Sequence, residues 1–157
     1  MQKITPFLWF NDNAEEAVNF YMSVFPNSRI VNSSRSGDGG PGPKGSIMII
    51  TFELAGQRFT ALNGGPKYKF TEAISLVVSV ESQAELDETW SKLCEGGQPV
   101  QCGWLKDRFG LSWQIVPTLL GELMQDKDPA RANRVMQAML KMVKLDLADL
   151  KRAYDRA

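Results

Sequence analysis

The 157-residue chain contains no histidine. That single absence removes Ser-His and Cys-His hydrolases, His-ligated zinc and the two-His facial-triad iron sites. Cysteine is nearly absent too. Cys94 and Cys102 are too few for a disulfide scaffold and match no metal-binding spacing, so they read as reduced, inert thiols. Net charge is also missing, with 18 basic against 18 acidic residues. A neutral chain has no general attraction for nucleic acid or for an anionic membrane surface. No apolar run approaches the roughly 20 residues that span a bilayer. The N-terminus, MQKITPFLWFNDN, has one lysine and no apolar segment ending in small residues, so no signal peptide is expected and the cytoplasm is the expected compartment.

What is present is an ordinary globular composition, 43% hydrophobic and 23% charged. Ile4–Phe10 reads as a strand, and Asn13 with Glu16 three residues later resembles a capping box. Ala14, Ala17, Val18, Tyr21 and Phe25 then recur at helical spacing up to Pro26. Arg29–Ser34 reads as a strand, and Ser36–Gly45, with five glycines and two prolines, as a loop. Ser46–Leu54 and Arg58–Leu62 read as a hairpin about Ala55-Gly56-Gln57.

After Asn63-Gly64-Gly65-Pro66 the order begins again. Ala73–Val80 is a predicted strand, Ser82-Gln83-Ala84-Glu85 a capping box, and Leu86, Trp90 and Leu93 an apolar stripe closed by Gly96-Gly97. Gln98–Cys102, Trp104–Lys106 and Leu111–Val116 are expected strands. Ala17, Tyr21 and Val24 thus line up with Leu86, Trp90 and Leu93 at an offset of about 69 residues, the mark of an internal duplication. The expected fold class is α+β: a first βαβββ module over residues 1–65, a second over 66–117, and a C-terminal helical extension over 118–157. In that extension Asp128-Pro129 starts a helix, and Val135, Met136, Met139, Leu140 and Val143 form a stripe that suits a homodimer interface. Asp146 starts a last helix carrying Leu147, Leu150 and Tyr154.

Several segments carry a resemblance: Ile4–Phe10, Ala14–Tyr21, Asn63–Pro66, Trp104–Gly110, Trp113–Pro117 and the tail around Arg134–Leu145. Together, in this order, they resemble the PhnB-like branch of the vicinal-oxygen-chelate superfamily (glyoxalase, bleomycin-resistance and dioxygenase proteins). That branch is often labelled 3-demethylubiquinone methyltransferase-like. The label implies a site for S-adenosylmethionine, and the chain shows no glycine-rich turn from strand to helix that would build one. Gly37-Asp38-Gly39-Gly40 leads into Pro41-Gly42-Pro43, which cannot open a helix.

Catalytic members of the superfamily hold one divalent metal with four inward-facing His, Glu or Gln side chains. The resemblance places those positions at Thr5, at Ala61 or Thr60, at Ala73 beside Glu72, and at Gln114. Only Gln114 is a competent ligand as placed, so no metal and no cofactor are expected. Strand alternation turns Thr5, Phe7 and Trp9 one way and Leu8 and Phe10 the other, toward the helix. Likewise Ser75, Val77, Ser112 and Gln114 face a cavity while Trp113 and Ile115 are core. Thr5, Phe7, Trp9, Ser75, Trp104 and Gln114 are therefore the candidate ligand-binding residues, for a small apolar or aromatic molecule.

Lys67-Tyr68-Lys69-Phe70 reads as linker, and Asp107 and Arg108 as a pair or cap for the turn closing at Gly110. The leading expectation is a metal-independent small-molecule-binding protein. The alternatives are a lyase, isomerase, dioxygenase or methyltransferase with an atypical site, and a structural or regulatory dimer with a vestigial cavity.

Overall fold

The computed structural model describes residues 2–156. The chain forms two compact units, one running to Phe70 and the other from Thr71 onward. Each repeats one topology.

In the first unit the elements are β1 (Phe7–Phe10), α1 (Ala14–Val24), β2 (Ser28–Arg35), β3 (Ile47–Leu54) and β4 (Gln57–Asn63). The sheet order is β1-β4-β3-β2, with β1 parallel to β4 and the remaining pairs antiparallel. Helix α1 packs on β3 and β4. Its buried face is Ala14, Ala17, Val18, Tyr21 and Val24, the predicted stripe apart from Phe25, which is the extended residue ahead of Pro26. Opposite lie Leu8, Phe10, Ile50, Phe52, Phe59 and Ala61, all buried. Phe52 and Phe59 are register partners whose rings stack at 5.5 Å. The two-residue turn between β3 and β4 places both Ala55 and Gly56 at positive φ, 49° and 84°, as a hairpin turn that follows strand twist requires.

In the second unit β5 (Ser75–Val80), α2 (Gln83–Cys94), β6 (Gln98–Pro99), β7 (Trp104–Lys106) and β8 (Ser112–Pro117) give the order β5-β8-β7-β6, with β5 parallel to β8. Leu86, Trp90 and Leu93 of α2 are buried, as are Leu105, Trp113 and Ile115 of the sheet. The Ser82 hydroxyl caps α2 by accepting the Glu85 amide at 3.1 Å, as the capping box predicts. Glu85, however, reaches back to the amide of Glu81 rather than that of Ser82.

The extension adds α3 (Thr118–Met124), α4 (Pro129–Leu140) and α5 (Leu147–Asp155), which pack on one another around Leu120, Leu123, Val135 and Leu150. Asp128 and Asp146 cap α4 and α5 through their side chains. The segment between α4 and α5 is tied to the sheet, because the amides of Cys102 and Gly103 donate to the carbonyls of Met142 and Val143 at 2.9 and 2.7 Å. That tie explains a shortened strand. Gln98–Cys102 is expected to be extended throughout, but only Gln98 and Pro99 pair with β7, and Cys102 turns away at φ 61°.

Three further expectations are corrected. The first strand begins at Phe7, not Ile4; Gln2 instead holds the preceding chain against the backbone of Arg58. Asn13 makes no side-chain cap for α1. The amide of Ala14 donates instead to Asn63 Oδ1 at 2.8 Å, from the end of β4. Finally, Val135 is fully buried within its own unit, so the stripe on α4 is not one surface.

Candidate functional site

A helix covers one face of each sheet, and the other face carries the predicted ligand-binding side chains. On the first sheet, register sets three rows across that face. Phe7, Thr60, Thr51 and Asn32 form one row, and Trp9, Leu62, Ile49 and Ser34 the next. The third is Arg58, Glu53 and Arg29, in which the Glu53 carboxylate accepts from Arg29 Nε at 2.9 Å and from an Arg58 guanidinium nitrogen at 3.1 Å. The hydrogen bond from Arg58, seconded by that from Arg29, holds the Glu53 carboxyl below its usual range. Phe7 is 56% exposed, an expensive position for a phenyl ring that nothing covers. Thr5 lies just before the strand and is exposed.

Trp9 is more firmly held. Its indole N–H donates to the Gly65 carbonyl at 2.9 Å, and the edge of the Tyr68 ring meets it at 4.9 Å. A Cβ on Gly64 would fall 2.5 Å from the indole ring, so only glycine lets the ring lie there. The run Asn63-Gly64-Gly65 thus has three local duties: Asn63 caps α1, Gly64 makes room for Trp9, and Gly65 accepts its N–H. The sequence reading missed this, although the clustering of Asn, Gly, Gly and Pro was its signal. Lys67–Phe70 is likewise more than the expected linker, because Tyr68 and Phe70 pack edge-on against Trp9 and Phe10.

On the second sheet Ser75, Trp104 and Gln114 come together. Val77, Gln114 and Trp104 form one cross-strand row, and Ser75, Ser112, Lys106 and Gln98 the next. Gln114 Nε2 donates to Ser75 Oγ at 2.9 Å, joining the two rows. This bond fixes the amide so that its Oε1 carries no protein donor among the described residues. The Trp104 indole N–H likewise donates to no protein acceptor there, in contrast to Trp9, bound to Gly65, and Trp113, bound to Asp107. A half-buried acceptor and a half-buried donor therefore sit on facing positions of adjacent strands, beside Val77, which is 57% exposed. Beyond them Lys106 pairs with Glu72, and that hydrogen bond, followed by one from the Glu72 backbone amide, draws the Glu72 carboxyl below its ordinary value.

Asp107 and Arg108 are structural. Asp107 is buried and accepts from the amides of Phe109 and Leu111 and from Trp113 Nε1, which closes the turn at Gly110. Arg108 Nε donates to the Glu95 carbonyl at the end of α2.

The residues present do not suit a resident divalent metal. Ala61 is buried toward α1, so Thr60 is the outward residue at that position, and Ala73 lies ahead of β5. Glu72 is committed to Lys106 and Glu53 to two arginines. Among the described residues no three His, Cys, Asp or Glu side chains converge. Hydroxyls and one carboxamide are a weak donor set for such an ion.

Comparison with known proteins agrees with the topology. The family model for 3-demethylubiquinone-9 3-methyltransferase matches residues 2–116. Among solved structures, the PhnB protein of Bacillus cereus, which carries the same methyltransferase description, is 40% identical; the match covers 74% of this chain and 99% of that one, with a TM-score of 0.68. A Pseudomonas aeruginosa protein is 25% identical over 74% of this chain and 98% of its own, with a TM-score of 0.62. A fosfomycin resistance protein from Listeria monocytogenes, complexed with Mn(II) and sulfate, shares the fold at 17% identity, with 74% of this chain and 91% of that one covered and a TM-score of 0.51. Among curated proteins nothing matches. The family match stops at residue 116, ahead of α3, so the three C-terminal helices, including the tail around Arg134–Leu145 expected to share the resemblance, lie beyond it. The chain belongs to the 3-demethylubiquinone-9 3-methyltransferase (PhnB-like) family and shares its fold with the Listeria fosfomycin resistance protein.

Proposed function

We propose that the protein binds a small planar molecule on the helix-free sheet faces, without a metal. On the second sheet Gln114 and Trp104 are the polar anchors and Ser75 holds Gln114 in place; on the first sheet Thr5, Phe7 and Trp9 offer a largely aromatic face of their own. The observation that carries this reading is the Trp104–Gln114 pair: an indole N–H and a carboxamide oxygen on facing strand positions, both lacking partners among the described residues, beside an exposed valine. A flat ring with one acceptor and one donor on its edge satisfies both groups and covers apolar surface.

Binding rather than methyl transfer is proposed because the Gly37–Gly45 loop joins the antiparallel strands β2 and β3. It opens no helix, so its amides are not gathered into the nucleotide cradle that S-adenosylmethionine or phosphate would need. A cytoplasmic location is part of the proposal. It is supported by two free cysteines and by the Cys94 thiol, whose burial raises its pKa and keeps it protonated. Among the described residues no helix is long and apolar enough to cross a membrane. A homodimer is proposed as well, supported by Met136, Leu140 and Val143, which remain exposed on and just after α4.

Tryptophan fluorescence titrated with a library of small planar heteroaromatics tests the binding reading. Trp104→Phe and Gln114→Ala are each expected to weaken a detected ligand by about tenfold, the worth of one buried hydrogen bond. Unchanged affinity in both variants overturns the site.

A further inference from the structure

We propose that the added C-terminal helices carry a separate binding site for a small organic oxyanion, a phosphate ester or a carboxylate. A cavity of about 510 Å3 lies between α4 and α5, lined by Asn133, Arg134, Gln137, Lys141, Arg152 and Arg156 among others. Four of its side chains are cationic, and Asp149 is the one acidic residue in the lining. The chain as a whole is neutral, so this local excess of positive charge is not a consequence of composition. Gathering like charges without a partner is unfavourable, and an anion removes that penalty.

The cations are not all free. Asp149 accepts from Arg152, which discharges one of them. Arg134 Nε and NH2 donate to the carbonyls of Ala153 and Tyr154 at 3.0 and 3.1 Å, satisfying the negative end of α5. Those bonds also fix the half-buried guanidinium as part of the wall, with its remaining nitrogen making no hydrogen bond among the described residues. The side chains of Lys141, Arg156, Asn133 and Gln137 have no hydrogen bond or ion pair among the described residues. Helix-end electrostatics explain Arg134. Lys141 and Arg156, the C-cap residues of α4 and α5, suit the same helix ends, but that field gives no reason for the carboxamides of Asn133 and Gln137 to join these two cations in one cavity. All four are donors, suited to oxygen atoms that carry negative charge. The apolar part of the lining, Ala138, Met142 and Ala153, leaves room for a short carbon skeleton.

This site lies in the helices beyond the family match, so its test is independent of the sheet-face proposal. Calorimetric titration at low ionic strength uses pyrophosphate, inorganic phosphate and citrate as three arms. Binding of a phosphate probe but not citrate assigns the phosphate class, the reverse assigns carboxylates, and binding of both supports a general oxyanion site. Lys141→Ala with Arg156→Ala is expected to weaken the bound probe by about tenfold or more, each being a charge-assisted contact. Lys151→Ala, an exposed α5 lysine outside the lining, is expected to change affinity less than twofold by the weakness of surface charge effects. Side-chain amide resonances of Asn133 and Gln137 in the unaltered protein should shift on addition of the same probe, which guards against misfolded variants. Failure of all three probes to bind, equal loss in the Lys151 variant, or unmoved carboxamide resonances overturns the proposal.

Discussion

The Asp107 carboxylate and the Trp113 indole meet at 2.9 Å in the interior of the second unit, both side chains buried. Asp107 Oδ1 takes the amides of Phe109 and Leu111 as well, so one carboxylate satisfies three donors of its own turn. Removing it leaves those donors unpaired. Asp107→Ala is expected to destabilise the protein by about 3 kcal/mol, and Asp107→Asn by roughly half that, since a carboxamide keeps one oxygen acceptor. Denaturant titration followed by Trp fluorescence checks both. Ligand affinity per folded molecule should remain unchanged, because Asp107 faces the core rather than the sheet surface.

What the sequence made legible was whatever depends on near neighbours. Ala17, Tyr21 and Val24 and their counterparts Leu86, Trp90 and Leu93 are buried as helical spacing requires, and the matching strand order follows from the duplication they announce. The Ser82 cap is a four-residue event and was readable. The Asn13 cap was not, because a competing acceptor, Asn63, arrives from 49 residues away. The same limit hid the early end of β6, where the amides of Cys102 and Gly103 are taken by carbonyls far along the chain. Helix α3, only seven residues long, was too short to show a period. In the site, strand parity gave the facing of Phe7, Trp9 and Gln114. The meeting of Gln114 with Ser75 depends on parallel pairing of β5 with β8, a long-range fact that only family resemblance could suggest.

The extension is clasped by the first turn of α2. Gln83 Nε2 donates to the Leu145 carbonyl and to Asp87, Gln83 Oε1 accepts the Leu147 amide at 2.8 Å, and Lys144 pairs with Asp87 at 2.8 Å. Hydrogen bonds from Lys144 and then Gln83 hold the Asp87 carboxyl below its ordinary value. A carboxyl whose folded pKa is depressed contributes its full stabilisation above the unfolded value, and loses it as pH falls through the folded one. Amide protection factors at Cys102 and Gly103, which bond to the clasped segment, should therefore fall below roughly pH 4, where carboxylates protonate. In Asp87→Asn that step should vanish, with lower protection already at neutral pH. A pH dependence identical in both proteins would remove Asp87 from the account.

Met136, Leu140 and Val143 are 39, 50 and 41% exposed, while Val135 on the same helix is fully buried. The interface proposed for a homodimer is thus narrower than the sequence stripe, and Leu140 is its most exposed member. Covering such side chains across two copies at about 25 cal/mol per Å2 gives a few kcal/mol before association entropy, so a dimer held here alone would be weak. Light scattering over a wide concentration range should show a dimer that Leu140→Glu dissociates. A monomer at every concentration would rule the assembly out, and a dimer indifferent to Leu140→Glu would move its interface elsewhere.

Gly64 is the most economical handle on the first sheet face. A methyl group there would sit 2.5 Å from the Trp9 indole, far inside van der Waals contact, and the obstacle is a rigid ring held at its nitrogen by Gly65 and at its edge by Tyr68. The ring cannot yield by a small rotation without giving up the Gly65 bond, so Gly64→Ala should expel it. The fold should survive, because the Asn63 cap and the β1–β4 pairing use backbone and side chains that the methyl group does not touch. The expected cost is about 1–3 kcal/mol, typical of forced repacking. Trp9 emission should move to longer wavelength as the ring enters water, with far-UV dichroism unchanged. If the Trp9 face of the first sheet binds the planar ligand, affinity falls in Gly64→Ala as in Trp9→Ala. An expelled Trp9 with undiminished affinity would confine the binding surface to the Trp104–Gln114 side.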